Sequence, residues 1–277
     1  MPELPEVETV RRGLTSLVEN SEVSSVEVIY PKMINVSPEK FKKCLSKRKI
    51  IKIDRRGKYL LFRFNGDITL VSHLRMEGKY DVEPDGTTPG KHTHVIFHLS
   101  DGRELRYNDS RKFGRMYLIH NGEEHTLSGL GTLGPEPTEN DLTFEYLKTI
   151  MNKSRGKIKP FLLNQSHLAG LGNIYVDEVL WMSKIHPETM TSLVTDDEIK
   201  ALRMNIIKEI SDAIKGHGTT VHSYSNAYGE AGQFQDSLKV YGRKGQPCFR
   251  CGTKIEKITV AQRGTHFCPK CQLRVTK

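Results

Sequence analysis

Two Cys-x2-Cys pairs near the C-terminus restrict this chain more than any other feature. Cys248 and Cys251 form the first pair, Cys268 and Cys271 the second, with sixteen residues between them. That spacing suits a four-thiolate zinc site, and the tight turns Cys251-Gly252 and Cys268-Pro269 can converge on one ion. Four thiolates fill the tetrahedron and leave no position for water, so the expected Zn2+ is structural and not catalytic. Ile255–Gln262 is expected to form most of a β-hairpin, too small for a core of its own, so the metal must supply its stability. Cys44 stands alone and reads as a small apolar residue. His266 lies beside Cys268 but is not needed as a ligand. A disulfide scaffold is excluded, since four of the five cysteines have this arrangement.

The positive charge gathers in the same region. The chain carries 42 Lys+Arg against 33 Asp+Glu, a formal charge of +9. Lys239 to Lys277 hold ten basic residues and one acid, Glu256, so this tail alone equals the charge of the whole chain. Concentrated positive charge commonly meets a polyanion, with counterion release driving association. A merely solubilising surface is the alternative. Arg263, near the expected hairpin tip, could reach a phosphate.

The 277 residues correspond to about two domains. Pro5 to Asn20 reads as an amphipathic helix, with Val7, Val10, Leu14, Leu17 and Val18 on one face and Pro5, Glu6 and Glu8 suited to its first turn. Short β-rich runs follow at Val23–Tyr30, Ile50–Asp54, Tyr59–Phe64, Ile68–His73, His94–Leu99, Glu104–Tyr107 and Arg115–Ile119. Asn-Gly and Asp-Gly turns separate several of them, a rhythm that predicts a β-sandwich or barrel. The Gly- and Pro-rich stretch Gly131–Pro137 reads as a linker. Helical patterns then occupy Phe144–Met151, Ile158–Gln165, Ile174–Ser183 and Asp196–Lys215. In the last, Thr195 and Glu198 make a capping box, Ile199, Leu202, Ile206, Ile210 and Ile214 share a face, and Gly216 ends the helix. Gly216 to Gly232 reads as a loop. No apolar run approaches membrane-spanning length and the N-terminus lacks a signal-peptide core, so no membrane role and a cytoplasmic location are expected.

Met1-Pro2 invites removal of the initiator methionine, leaving Pro2 with a free secondary amine. Such an amine can attack a sugar aldehyde carbon and form a protonated Schiff base. Glu3 and Glu6 lie close enough in sequence to shuttle protons. By spacing alone, these residues equally suit the plain start of a helix.

Several blocks belong to one pattern: Met1–Thr9, Arg55–Tyr59, Ser72–Met76, Asp109–Gly114, Gly134–Pro137, Gly170–Tyr175, Val240–Arg243 and Gln262–Thr265 with the cysteine module. Together, in order and over essentially the whole chain, they closely resemble the bacterial formamidopyrimidine-DNA glycosylase family, whose members excise 8-oxoguanine and ring-opened purines. The resemblance implies an α+β chain. An N-terminal helix and antiparallel β-sandwich domain (1–130) and a linker (131–137) come first. A helix–two-turn–helix domain with a lesion loop (138–235) and a zinc-finger β-hairpin (236–277) follow, with a DNA cleft between the two halves.

It also implies roles. Pro2 resembles the nucleophile that attacks sugar C1′, Glu3 the acid of base loss and ring opening, and Glu6 a residue holding that site. Lys58 matches the proton donor for β-elimination, in a position that also suits a phosphate contact. Arg263 matches the δ-elimination residue, and it too suits a phosphate. Met76, Arg111 and Phe113 match the trio that fills the gap left by a flipped nucleotide, and Arg111 suits an opposing cytosine, whose O2 and N3 are acceptors. Plain core packing is the other reading of Met76 and Phe113. His73, His92 and Asn173 match DNA-contacting positions, although His73 and His94 also fit buried, hydrogen-bonded histidines. Which of Lys153, Ser154 and Arg155 takes over a family lysine stays open, and Ser223–Gln235 resembles the loop over the flipped base.

The expected protein is a monomeric glycosylase and abasic-site lyase acting on double-stranded DNA that carries an oxidised purine. One structural Zn2+ and no redox or nucleotide cofactor are expected. An endonuclease VIII-like enzyme for oxidised pyrimidines is the near rival, disfavoured by the opening Pro-Glu-Leu-Pro-Glu-Val. A DNA-binding protein without catalysis is the rival of another class, disfavoured by the intact Pro2, Glu3 and Lys58.

Overall fold

The structure is a computed structural model that describes residues 1–219 and 234–274. It divides into two compact units. The first holds Met1–Gly131 and, of the later described residues, 217–219; the second holds Thr132–Gly216 and the described residues from Phe234 onward.

The first unit opens with α1 (Leu4–Val18), which starts behind Pro2-Glu3 and buries Val7, Val10, Leu14 and Val18. Then come β1 (Glu22–Val28), α2 (Pro38–Leu45), β2 (Arg48–Arg56), β3 (Tyr59–Phe64), β4 (Ile68–His73), β5 (Lys79–Pro84), β6 (Thr93–Leu99), β7 (Arg103–Asn108) and β8 (Arg115–His120). The strands run β5-β7-β6-β1-β2-β3-β4-β8, every neighbouring pair antiparallel. β1 and β2 meet only at Glu22↔Lys49 and Val23↔Arg48. Two four-stranded halves thus form a sandwich around Val26, Phe41, Ile53, Phe62, Phe97 and Tyr107. Neither α2 nor β5 is among the elements expected from the sequence. Ser37 caps α2 by accepting from the Lys40 N–H, and Pro38 fills its first turn. β5 is an edge strand in which Tyr80 alone is fully buried.

In the second unit lie α3 (Phe144–Lys153), α4 (Ile158–Leu163), α5 (Asn173–Met182) and α6 (Asp196–Lys215), followed by the hairpin β9 (Glu256–Val260) and β10 (Arg263–Phe267). The capping box of Thr195 and Glu198 is present on α6. α4 stops two residues earlier than its apolar pattern suggests, because Asn164 turns the chain and its carbonyl accepts from His167 and Leu168. The Gly- and Pro-rich stretch before α3 is bonded into this unit: Gly134 donates to Gln165 O, and Ala169 donates to Pro135 O. Among the described residues, no helix is long and apolar enough to cross a membrane.

Candidate functional site

In the first unit, the start of α1 is buried although it is rich in acids. Pro2, Glu3 and Glu6 are all buried. Glu6 holds this start in place with both oxygens: Oε2 accepts from the Glu3 N–H at 2.8 Å, and Oε1 accepts from the Thr219 N–H at 2.8 Å and its hydroxyl at 3.2 Å. The amine of Met1, the residue before Pro2, is pushed below its ordinary value, chiefly by burial. Glu3, Glu6 and Glu77 oppose that shift, and Lys58 adds to it.

Lys58 reaches this place from a tight turn. Arg56 pairs with Tyr59, so Gly57 and Lys58 form a two-residue loop between β2 and β3, with Gly57 left-handed at φ +54°. Lys58 is only 4% exposed.

Met76 and Phe113 are 37% and 47% exposed, which rules out the core-packing reading for both. Their loops close over one ring. A Cβ at Gly78 would lie 2.1 Å from the Tyr107 hydroxyl oxygen, and one at Gly114 1.7 Å from it, so only glycine fits at either place. Asp109 shapes the second loop by accepting from the Arg111 N–H at 2.9 Å and the Gly114 N–H at 2.8 Å. Ser110 donates to Glu77 and ties the two loops together. Arg111 is exposed, with its guanidinium 4.8 Å from the Phe113 ring centre. Tyr107, and Asp109 at the head of the Asp109–Gly114 block, support this trio from beneath, a role the sequence pattern alone does not reveal. Gly78 and Gly114 were the signal for them.

His73 is buried against Tyr59, and its Nδ1 accepts from the Arg75 N–H at 2.9 Å. Burial pushes its pKa down to about 3, so the ring is neutral with its proton on Nε2. His94 is buried with Nε2 2.7 Å from Asp109 O, whereas His92 is half-buried and offers its carbonyl to Asp109 N.

In the second unit, Asn173 begins α5 and donates from Nδ2 to Gly264 O at 2.9 Å, so it holds β10 beside Arg263. The hairpin tip, Ala261-Gln262, is left-handed at both residues (φ +46° and +61°) without a glycine. Arg263 follows, exposed. A buried pair was also missed. Lys159 Nζ bonds Asp177 Oδ1 at 2.6 Å and Gly264 O at 3.2 Å, while Asp177 Oδ2 accepts from the His266 N–H at 2.8 Å. Both side chains of the pair are fully buried. The signal was a lysine inside the apolar run Ile158–Leu163. Lys153 and Arg155 are the exposed cations of that region, and Lys157 pairs with Glu188. The expected lesion loop, Ser223–Gln235, lies outside the described residues up to 233; Phe234–Ser237 form a short 3-10 turn.

The four cysteine sulfurs all lie within 4.8 Å of one another, with Cys248–Cys271 at 3.9 Å and Cys251–Cys268 at 3.5 Å. A tetrahedron with ~2.3 Å zinc–sulfur bonds has edges of ~3.8 Å, so the set fits a structural zinc. Trp181 Nε1 donates to Cys248 Sγ, Cys271 N–H donates to Cys268 Sγ, and Cys44 sits half-buried on α2. Asp85, His98 and Glu104 also bring metal-binding atoms together, but Arg106 neutralises Glu104, and the group reads as an ion-pair cluster.

Residues 1–116 match the Formamidopyrimidine-DNA glycosylase N-terminal domain, 133–225 the Formamidopyrimidine-DNA glycosylase H2TH domain, and 245–274 the zinc finger found in FPG and IleRS. The chain is 64% identical over 269 residues to the formamidopyrimidine-DNA glycosylase of Lactiplantibacillus plantarum, covering 97% of this chain and 98% of that protein. The chain belongs to the formamidopyrimidine-DNA glycosylase family. Its counterpart in Pediococcus pentosaceus is 60% identical over 274 residues, 99% of each chain. Among solved structures, wild-type Lactococcus lactis Fpg with DNA containing N7-benzyl-Fapy-dG matches at TM-score 0.93 and 45% identity, over 99% of this chain and 100% of that one. Lactococcus lactis Fpg with abasic-site DNA matches at 0.94 and 45%, over 98% and 100%. As a member of the formamidopyrimidine-DNA glycosylase family, the protein is a DNA-repair glycosylase with a zinc-finger module.

Proposed function

We propose that this glycosylase removes oxidised purines, 8-oxoguanine and formamidopyrimidines, from double-stranded DNA as a monomer and then cleaves the abasic strand by β,δ-elimination. The buried start of α1, where Pro2, Glu3 and Glu6 are shielded from solvent, together with the buried Lys58 carries this reading. A secondary amine freed at Pro2 would attack as its free base.

Once Met1 is removed, the Pro2 nitrogen attacks C1′ of the flipped nucleotide. The bond from C1′ to the base breaks, and the base leaves with its electron pair and takes up a proton. Glu3 then protonates O4′, the sugar ring opens, and an iminium joins Pro2 to C1′. Loss of a C2′ proton expels the 3′ phosphate, with Lys58 exchanging protons at this step. A second elimination, assigned to Arg263, expels the 5′ phosphate. Met76 and Phe113, exposed on loops tied together by Ser110 and Glu77, supply the wedge, and Arg111 faces the orphaned cytosine. His73, His92 and Asn173 serve the phosphate grip, and the zinc keeps Arg263 on an ordered hairpin.

Borohydride trapping on a duplex with 8-oxoguanine opposite cytosine tests this. A covalent adduct mapped to Pro2 is expected, and Glu3→Gln should slow single-turnover excision by ~10²–10⁴-fold, the usual range for a general acid. Absence of an adduct from protein with mature Pro2 overturns the reading.

A further inference from the structure

We propose that Glu8, which no motif role covers, is a positioning residue that sets the distance between the N-terminal amine and Lys58 through Arg55. This rests on the reading of Pro2 and Lys58 as reacting groups.

Glu8 sits on α1, one turn beyond Glu3 and Leu4, and faces β2. Every oxygen of its carboxylate is used. Oε1 accepts from Arg11 Nη2 at 2.8 Å and Arg12 Nε at 3.0 Å; Oε2 accepts from Arg11 Nε at 3.0 Å and Arg55 Nε at 3.1 Å. These guanidinium contacts hold its pKa at about 2 against the opposing effect of burial.

Two of the arginines continue into the backbone of β2 and its turn. Arg55 Nη1 donates to Gly57 O at 3.0 Å, and Arg11 Nη1 donates to Ile53 O at 3.3 Å. The carbonyl held by Arg55 belongs to the residue just before Lys58. One carboxylate therefore links the helix that starts at the reactive amine to the turn that carries the proton donor.

The apolar face of α1 already holds the helix against the sandwich, but apolar contact is non-directional and tolerates sliding. Directional hydrogen bonds to two backbone carbonyls fix the register. Arg55 and Glu8 are both largely shielded, with side chains 14% and 11% exposed, so the link is little weakened by solvent. A shift of about 1 Å between reacting groups can cost ~10²-fold in rate, which is the range over which such a link acts.

The experiment compares Glu8→Gln, Glu8→Asp and Arg55→Lys with the parent zinc-loaded protein. It reads single-turnover excision from the 8-oxoguanine·cytosine duplex, trapping yield, the dissociation constant for tetrahydrofuran-containing duplex, and melting. Glu8→Gln is expected to slow excision by about 10–100-fold with the dissociation constant unchanged, and Arg55→Lys to do the same. Combining the two should slow excision no further than the worse single change, as for residues acting through one link. Glu8→Asp, which keeps the charge, should recover part of the rate, and it provides the measurement if Glu8→Gln does not fold. Parent-like excision from folded Glu8→Gln and Arg55→Lys, with only melting lowered, overturns the proposal and leaves a structural clamp. Pro2→Gly run alongside separates the two failures. If Pro2→Gly is trapped and excises like the parent, the reading of the site fails; if it is impaired while the Glu8 and Arg55 variants are normal, only this inference fails.

Discussion

Two β-hairpins in this protein each end in a two-residue turn with a basic residue at it, and they are held by opposite means. The turn Gly57-Lys58 belongs to a strand pair inside a large apolar sandwich, uses a left-handed glycine, and leaves Lys58 buried. The turn Ala261-Gln262 belongs to a separate two-stranded sheet, is left-handed at two residues with side chains, and leaves Arg263 exposed. Four thiols and the buried Lys159–Asp177 pair anchor the second. A lysine shielded from solvent suits proton transfer to a bound group over a short distance. An exposed arginine keeps its charge and its forked donors, which suits phosphate. The means of support follows from that division: apolar burial would hide an arginine from DNA, whereas a metal staple holds a turn without covering it.

Metal removal should break the comparison most severely. Chelation, or Cys268→Ser, is expected to unfold the β9–β10 hairpin and reduce DNA affinity by ~100-fold or more, as befits a module whose folding is tied to its zinc, while the far-ultraviolet β signal of the sandwich persists. Zinc content, circular dichroism and fluorescence anisotropy check this together. Next in size is Lys159→Met. It strands Asp177 in a fully buried site and should cost about 3–5 kcal/mol in denaturant unfolding; adding Asp177→Asn should recover part of the loss. The smallest effect concerns pH. Glu209, on α6 near Glu178 and Asp212, is raised to about 8, first by burial. The folded state thus binds a proton that the unfolded state has released, and its stability falls as pH rises from about 4.5 towards 8. His73 has the opposite sign: its folded value of about 3 lies below the ordinary 6.5, so stability falls as pH drops through that window. Glu209→Gln should therefore gain about 1–2 kcal/mol over the parent between pH 5 and pH 8.5 in urea titrations, with little difference at pH 5.

The readable parts of the fold were those with a strong local signal. α1 and α6 carry long apolar faces and capping residues, and the four cysteines declare a metal site through spacing alone. β5 escaped because Lys79, Asp81, Glu83 and Pro84 dilute an edge strand with a single fully buried side chain. α2 escaped because eight residues are too few for a clear period, though Ser37-Pro38 was a usable start signal. In the site, residue identity was legible but environment was not. The exposure of Met76 and Phe113 depends on Tyr107 meeting two glycines 36 residues apart in the chain. Lys159 looked like one cation among several until Asp177, on a different helix, removed it from solvent.

The chain leaves the first unit after Gly131 and comes back to it at His217, where Thr219 gives its amide and hydroxyl to Glu6. The N-terminal half is thus not a portable module. A fragment ending at residue 131 would carry Pro2, Glu3 and Lys58 yet lack the partner that Glu6 draws from 88 residues further on. Gene fusion or recombination that cuts between the halves would therefore loosen the buried start of α1 without touching its sequence.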